Sequence, residues 1–497
     1  MNVLPDKAFL SLSRQRALLR HQPALRIFLL VAGIIAIAVW QGTFRDQGER
    51  LDDSYSISNT FGGQQGTLAY FYHYLGLYPV ETAGGFRPDA NADAARRAVR
   101  ENGNRLRLGE PYDRLTVMAY LPDIYLGGNP HAPSHNTAAW LGFTAALIAL
   151  YAALWTARLE LFGLMLVAFA GSNPFQLHEV YMQDNVFGWS ITIGLIVTAI
   201  NVPLIVNHRY YLSAGGMAAR YLWMAPVLSG LVLGTFRHLR TECTTTLLAV
   251  LAAYALLSGV PWRRKGALIG VFAAVFLVTQ SGWNAYFDRI ETRSENIVRA
   301  AGGAVDTDRG GQKFHLFWHP VWGGLGDFDG EKGYLFWDKV MYDFASSALE
   351  EHSDFRPGIN MAYQAAYAEI LREKVVRDVA ADPGWYAAII TKRLHRVLFE
   401  NTPPRLAAGA NWVDVPGLSP LLAPFAAFVL LCYLVRREWS IPRLLMFPFA
   451  VGGVAIAVST VNGYQYYGVA HLFLYALLFA WVLEALLRLA GPKPEAA

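Results

Sequence analysis

Ile27-Phe28-Leu29-Leu30-Val31-Ala32-Gly33-Ile34-Ile35-Ala36-Ile37-Ala38-Val39-Trp40 is an unbroken apolar run. It is preceded by Arg14, Arg16, Arg20 and Arg26 and followed, after a polar stretch, by Arg50-Leu51-Asp52-Asp53-Ser54-Tyr55-Ser56. Taken to Thr43, it is close to the length that crosses the hydrocarbon of a bilayer, which needs about 20 mostly apolar residues. Gln41-Gly42-Thr43-Phe44 follows where a cleaved leader would show small residues of the Ala-x-Ala kind. The run is therefore expected to be an uncleaved first membrane helix.

Composition extends that reading to the whole chain. Of 497 residues, 54% are hydrophobic and only 16% charged, against about 25% charged in an average soluble protein. The net charge of +4 is small for this length, and no basic tract interleaves with aromatics. Nucleic acid is thus not expected as a partner. The two cysteines, Cys243 and Cys432, lie near or within apolar segments, which argues against a disulfide framework and a cysteine-rich metal site.

The fold class expected is an all-α polytopic membrane protein of about ten transmembrane helices. Its apolar runs are Ile27–Thr43, Thr137–Ala157, Leu161–Ser172, Gly188–Val206, Tyr221–Phe236, Thr244–Val260, Gly266–Trp283, Leu418–Val435, Leu444–Val461 and Val469–Leu489. Placing the N-terminus inside and alternating puts Arg158, Arg209, Arg220, Arg263-Arg264-Lys265, Arg436-Arg437 and Lys493 on the cytoplasmic side, as the positive-inside rule requires. Arg237 and Arg240 are the exception, in an outward turn. N-in/C-in is the expected topology.

Two long connections then fall outside, residues 41–136 and 284–417. Residues 1–283 form an N-terminal membrane module, 284–417 an inserted extracytoplasmic mixed domain between the seventh and eighth helices, and 418–497 the last helices. Within the insert, apolar spacing from Met361 to Arg396 predicts two helices broken at Asp382-Pro383-Gly384. The second carries Lys392, Arg393 and Arg396 opposite apolar positions, which fits an interfacial helix or one packed on another helix.

The unusual polar residues gather on this outer side. Asp52 and Asp53 open the first loop, where a carboxylate is a general base, a cation ligand or ordinary solvated loop. The turn after the third helix offers His178, Glu179 and Asp184; the turn after the fifth offers Arg237, His238, Arg240 and Glu242. Ionisable groups at helix ends in a bundle tend to be functional, and four clusters on one face suggest a shared site. Arginine presents a planar fork that suits phosphate, although Arg237 and Arg240 also fit as side chains reaching for headgroups. The fourth cluster holds His315, Trp318, His319 and Trp322. Its histidines lack a His-Glu-x-x-His pattern, Pro320 and the following glycines argue against a helix, and the tryptophans serve either to stack on sugar or to pack.

A first helix followed by an acidic pair in a long outer loop resembles the GT-C class of multi-pass glycosyltransferases, which includes protein O-mannosyltransferases and aminoarabinose transferases of lipid A. Pro174 to Asp184 is similar to the second acidic outer turn of that class, and Thr235-Phe236-Arg237-His238-Leu239-Arg240-Thr241-Glu242 to its short Arg/Glu turn. His319 to Asp327 and Asp382-Pro383-x-x-Tyr386 are similar to stretches in bacterial members. The helix count is lower than usual there, and the outer domain is inserted before the last three helices instead of following them.

The resemblance implies a polyprenyl-phosphate-linked sugar as donor, with its phosphate against Arg237 and Arg240. It implies Asp53 or Asp52 as general base toward a glycan, lipid or protein acceptor, and Asp53 stands further from Arg50. Glu179, Asp184, Glu242 and His178 would support the site, and His315, Trp318, His319 and Trp322 would contact sugar or acceptor. No cofactor is certain; a divalent cation, Mg or Mn, between carboxylates is the one candidate. Membrane lipids are partners, and a bacterial inner membrane with the site facing outward is the expected location. The competing classes are a transporter or flippase, which needs charges near the midplane, and a non-catalytic component of an envelope-polysaccharide assembly.

Overall fold

The computed structural model describes residues 23–45, 80–82, 106–108, 136–157, 159–172, 188–213, 217–239, 246–257, 259–300, 317–328, 330–335, 337–349, 365–400, 405–408, 411–414 and 441–458, with scattered single positions between 115 and 482. Helix dominates them. Seven helices correspond to the first seven apolar runs: α1 (Pro23–Arg45), α2 (Asn136–Thr156), α3 (Glu160–Ser172), α4 (Gly188–Ser213), α5 (Met217–Phe236), α6 (Thr246–Ala255) and α7 (Trp262–Ala300). Among the described residues, four stretches, Pro23–Phe44, Thr137–Thr156, Trp189–Val206 and Trp262–Ile290, are long and apolar enough to cross a membrane. This is a helical membrane protein.

Two of the expected spans differ in length. The run Thr244–Val260 yields only the ten residues of α6. The seventh helix does not stop at Trp283 but continues to Ala300, 39 residues in all. Hydropathy marks where lipid ends, whereas a helix ends where its backbone loses hydrogen-bond partners or a breaker intervenes. Among residues 284–300 no glycine or proline intervenes, and exposed Asp288, Arg289, Thr292 and Arg293 continue the helix into water.

Paired contacts give the helix directions. Trp155 Nε1 donates to the Arg26 carbonyl at 2.8 Å and Tyr151 Oη to that of Leu29 at 2.9 Å, so α1 and α2 are antiparallel. Arg26 pairs with Glu160 at one end, and Gln41 Nε2 donates to the Gly171 carbonyl at the other, so α1 and α3 are parallel. Asn201 meets Ser229 and Trp189 stacks on Phe236, which makes α4 and α5 antiparallel. Lys265 Nζ donates to the Ala255 carbonyl as α6 hands over to α7. The helices thus alternate, with Arg26, Thr156 and Arg263 at one end and Phe44, Asn136, Phe236 and Trp283 at the other.

Where α5 meets α7 the backbones touch. A Cβ on Gly230 would lie 2.9 Å from the Phe272 carbonyl oxygen, and one on Gly234 2.8 Å from that of Phe276. Small residues four apart permit this approach, and in lipid such packing replaces the hydrophobic effect as the source of association. Inside the bundle, Asn201 Nδ2 donates to the Val197 carbonyl and to Ser229 Oγ, while Tyr254 Oη donates to Asn201 Oδ1 at 2.8 Å. Pro203 lies two residues on, where a helix carbonyl loses its usual partner.

A second apolar core lies outside this bundle. It is formed by α8 (Trp318–Leu325), α9 (Asp338–Leu349), α10 (Ala365–Ala381) and α11 (Pro383–Phe399), and it encloses Trp322, Tyr334, Tyr367, Leu371 and Trp385. The break between the last two helices falls at Asp382, as the sequence implies, and its carboxylate caps α11 by accepting from the Trp385 amide at 2.9 Å. Two antiparallel hairpins complete the described residues, β1 (Val80–Thr82) with β2 (Leu106–Leu108) and β3 (Arg405–Ala408) with β4 (Asn411–Asp414). Beyond them, α12 (Ile441–Val458) packs on α6 and α11. The runs 418–435 and 469–489 contribute only isolated described positions, such as Phe425 and Tyr475, which join the bundle core.

Candidate functional site

The turn that ends α5 is the centre of the site. Arg237, His238 and Leu239 each donate an amide back into the last helical turn, to Leu233, Thr235 and Phe236. The His238 carbonyl accepts from the Leu115 amide at 2.7 Å. Leu115 belongs to the first long connection and is 5% exposed, Leu239 is 2% exposed, and Phe287 of α7 is fully buried with its ring 5.8 Å from that of His238. Apolar burial around a backbone hydrogen bond therefore fastens Leu115 onto the turn after α5.

Arg237 is half-buried and has neither an ion pair nor a side-chain hydrogen bond among the described residues. A guanidinium carries five donors and stays charged, so one held at a membrane rim without a partner is a ready anion site. The two residues before it in the chain touch aromatic side chains. Trp189, at the start of α4, stacks on Phe236 at 5.8 Å and 22°. Trp283 of α7 donates to Thr235 Oγ1 at 3.0 Å and stacks on Phe287.

Trp189 Nε1 and Gln280 Oε1 are buried without a hydrogen-bond partner among the described residues. Burying an amide or indole group unpaired costs about 1–3 kcal/mol each. Gln280 shares the α7 stripe Phe276, Gln280, Trp283, Phe287, spaced by three and four residues.

The sequence-derived candidates fare unevenly. Asp52, Asp53, His178, Glu179, Asp184, Arg240, Glu242 and His315 lie outside the described residues. Among the described ones, no group of three His, Cys, Asp or Glu can hold a metal ion. Residues 318–325 do form a helix, against expectation, because Pro320 sits in its first turn, where no intrahelical donor is required. His319 is 6% exposed and its Nδ1 is 2.7 Å from Tyr367 Oη. Trp322 is wholly buried between Tyr334 and Phe344, so its ring has no face to offer a sugar. Trp318 is partly exposed beside the more exposed Phe317.

The insert's charges serve its own folding. Arg393, fully buried, bonds Asp327 at 2.5 Å and the Gly324 carbonyl at 2.9 Å, joining α11 to α8. Lys374 lies over the Tyr334 ring at 4.6 Å while bonding Asp378. Burial and the Asp378 carboxylate push the Tyr334 phenol pKa up. Lys332, left-handed at φ 57° between Gly330 and Gly333, pairs with Asp382 and covers Trp385.

Trp189, Gln280 and the Leu115–His238 bond were not singled out in the sequence. The misplaced charges of Arg237 and Arg240, with His238 and Glu242 beside them, had pointed to this turn. No family model, curated protein or solved structure matches the chain.

Proposed function

We propose that the protein is a membrane glycosyltransferase of GT-C type, which moves a sugar from a polyprenyl-phosphate donor to an acceptor hydroxyl on the outward face of a bacterial inner membrane. The observation that carries this reading is Arg237, half-buried and unpaired among the described residues, in a turn tied through His238 to the loop that also carries Asp52 and Asp53. In the proposed step the donor phosphate rests against Arg237, with Arg240 beside it in sequence. Asp53, or Asp52, takes the proton of the acceptor hydroxyl as its oxygen attacks the anomeric carbon. The bond from that carbon to the phosphate oxygen breaks, the electron pair leaves with the phosphate, and the arginine fork stabilises the growing charge. A single displacement of this kind inverts the anomeric centre. Ten spans with both termini inside are part of the same proposal.

The transporter reading is weaker on one observation. The Asn201–Ser229–Tyr254 network is buried between α4, α5 and α6, and both donors of Asn201 Nδ2 and its oxygen are already engaged. It serves as glue between helices.

The test is transfer of radiolabel from polyprenyl-phosphate sugars in membranes, comparing wild type with Asp53→Asn, Asp52→Asn and Arg237→Ala. Collapse in an aspartate variant and weakened donor use in Arg237→Ala are expected. Equal transfer by all four proteins would exclude both assignments.

A further inference from the structure

Val397 of α11 is fully buried in the core of the membrane bundle, and Leu398 packs against the same core. Their neighbours are open: Leu394 is 37% and Phe399 43% exposed. Helical spacing puts Leu394 on one flank of the buried stripe and Lys392, Arg396 and Phe399 on the other. Phe328, from the connection after α8, adds a ring to that second flank, with Arg396 4.3 Å and Lys392 5.9 Å from its centre. Glu400 lies 3.0 Å from His395 Nδ1 and pairs with Arg396. α7 leaves the bundle at the end that holds Phe236 and Trp283 and leads into the outer helical cluster. α11 therefore meets the bundle at that end, packed on α12. The surface of α10 differs, since Arg372, Glu373 and Arg377 are exposed around Val376.

We infer that the last two turns of α11, with Phe328, lie in the lipid–water interface of the bilayer leaflet at that end. The partner is the headgroup region of phospholipid. Continuity with the bundle selects it, because one side of these turns belongs to the membrane core and the other continues outward from it. Leucine and phenylalanine gain there from the tops of the acyl chains, and in water they would gain nothing. Lysine and arginine suit the same depth. Their stems lie on apolar surface, such as the Phe328 ring, while their charges reach phosphate and water. The outer helical cluster is then seated on the bilayer instead of standing clear of it on α7. The inference uses only the membrane bundle and holds whatever reaction the protein carries out.

The experiment uses full-length wild type in nanodiscs whose phosphatidylcholine carries a diazirine either at the top of an acyl chain or at its middle. Label is mapped by peptide after irradiation, with the exposed α1 residues Val31 and Ile35 as the lipid-facing reference. Top-of-chain label on 391–400, weak mid-chain label there and none on 369–377 is the expected result. Leu394→Glu combined with Phe399→Glu should lower the label on 391–400 severalfold and leave that on α1 unchanged. Absence of label from 391–400 while α1 is labelled would overturn the inference. Equal label from both probes would overturn it too, since it means burial in the hydrocarbon. So would label undiminished in the double variant. Label lost only in discs that hold two copies would assign the surface to a second copy instead.

Discussion

Ile389 and Val397 stand two turns apart on α11 and belong to different cores. Ile389 packs with Trp322, Tyr334 and Trp385 in the outer helical cluster, whereas Val397 lies in the core of the membrane bundle. Eight residues along a helix advance about 12 Å, so one rigid element passes from one packing unit into the next. Arg393 sits midway between them and ties α11 to α8 through Asp327 and the Gly324 carbonyl.

That junction predicts a large single-site effect. Arg393→Ala leaves the Asp327 carboxylate enclosed without its cation, and breaking a buried pair costs about 3–5 kcal/mol. Protease protection of residues 317–400 is expected to be lost in detergent solution. The double variant Arg393→Met with Asp327→Leu should regain most of it, because neither charge is then stranded. Equal loss in the single and double variants would mean that packing at this position, rather than the ion pair, holds the junction.

At the α5 turn, Arg237→Ala is expected to raise the donor concentration needed for half-maximal transfer by about 10–100-fold, the worth of charge-assisted hydrogen bonds of about 1.5–3 kcal/mol. Arg237→Lys should recover only part of this, since an ammonium offers charge without the planar fork. Full recovery with lysine would mean that charge alone is read. Kinetics at varied donor concentration distinguish the two cases.

Acid should weaken the outer helical cluster. Burial pushes the Asp378 pKa up, but hydrogen bonds from Lys374 and Tyr334 and the charges of Lys374 and Arg377 outweigh it, and the net shift is downward. Asp382 is lowered by the Trp385 amide and by Lys332. Carboxylates held below their unfolded value, about 3.9 for aspartate, add stability above that pH and lose it as pH falls through the folded values. Thermal melts followed by tryptophan fluorescence are expected to be flat from neutral pH to about pH 5 and to fall below about pH 4. Asp378→Asn should start from a lower melting point and lose less of it on acidification.

Gly234→Leu should separate α5 from α7. Its Cβ would press on the Phe276 carbonyl oxygen and on Thr279, and backbone cannot retreat as a flexible side chain can. Loss of several kcal/mol is expected from such overpacking, read as a lower melting temperature in detergent. Gly270→Leu on the exposed face of α7, where a Cβ meets nothing within 4 Å, should melt like wild type. If Gly234→Leu also melts like wild type, the two backbones are further apart than described.

Apolar runs made α1 to α7 and α12 legible in the sequence, because lipid demands a residue count that hydropathy can see. Their partners were not legible. Trp322 reads as a sugar contact beside glycines, yet Tyr334, Phe344 and Lys374 close over it from later in the chain. His319 reads as a ligand until Tyr367, 48 residues on, supplies its hydrogen bond. Pro320 reads as a helix breaker because sequence does not reveal where the first turn begins. Of the candidate site, Arg237 showed itself, together with Arg240, by offending the charge rule. Trp189 and Gln280 look like ordinary bundle residues, since a missing partner becomes visible only when every neighbour is in place.

The length of α7 has a consequence for what the protein can reach. Its 39 residues make a rod of about 58 Å, whereas the hydrocarbon layer takes up only about 30 Å. A bilayer crossed by Trp262–Ile290 would leave the last turns of the rod, with exposed Thr292 and Arg293, beyond the hydrocarbon. A molecule lying within such a bilayer would meet the apolar part of the rod, whereas one in water would meet only its charged end.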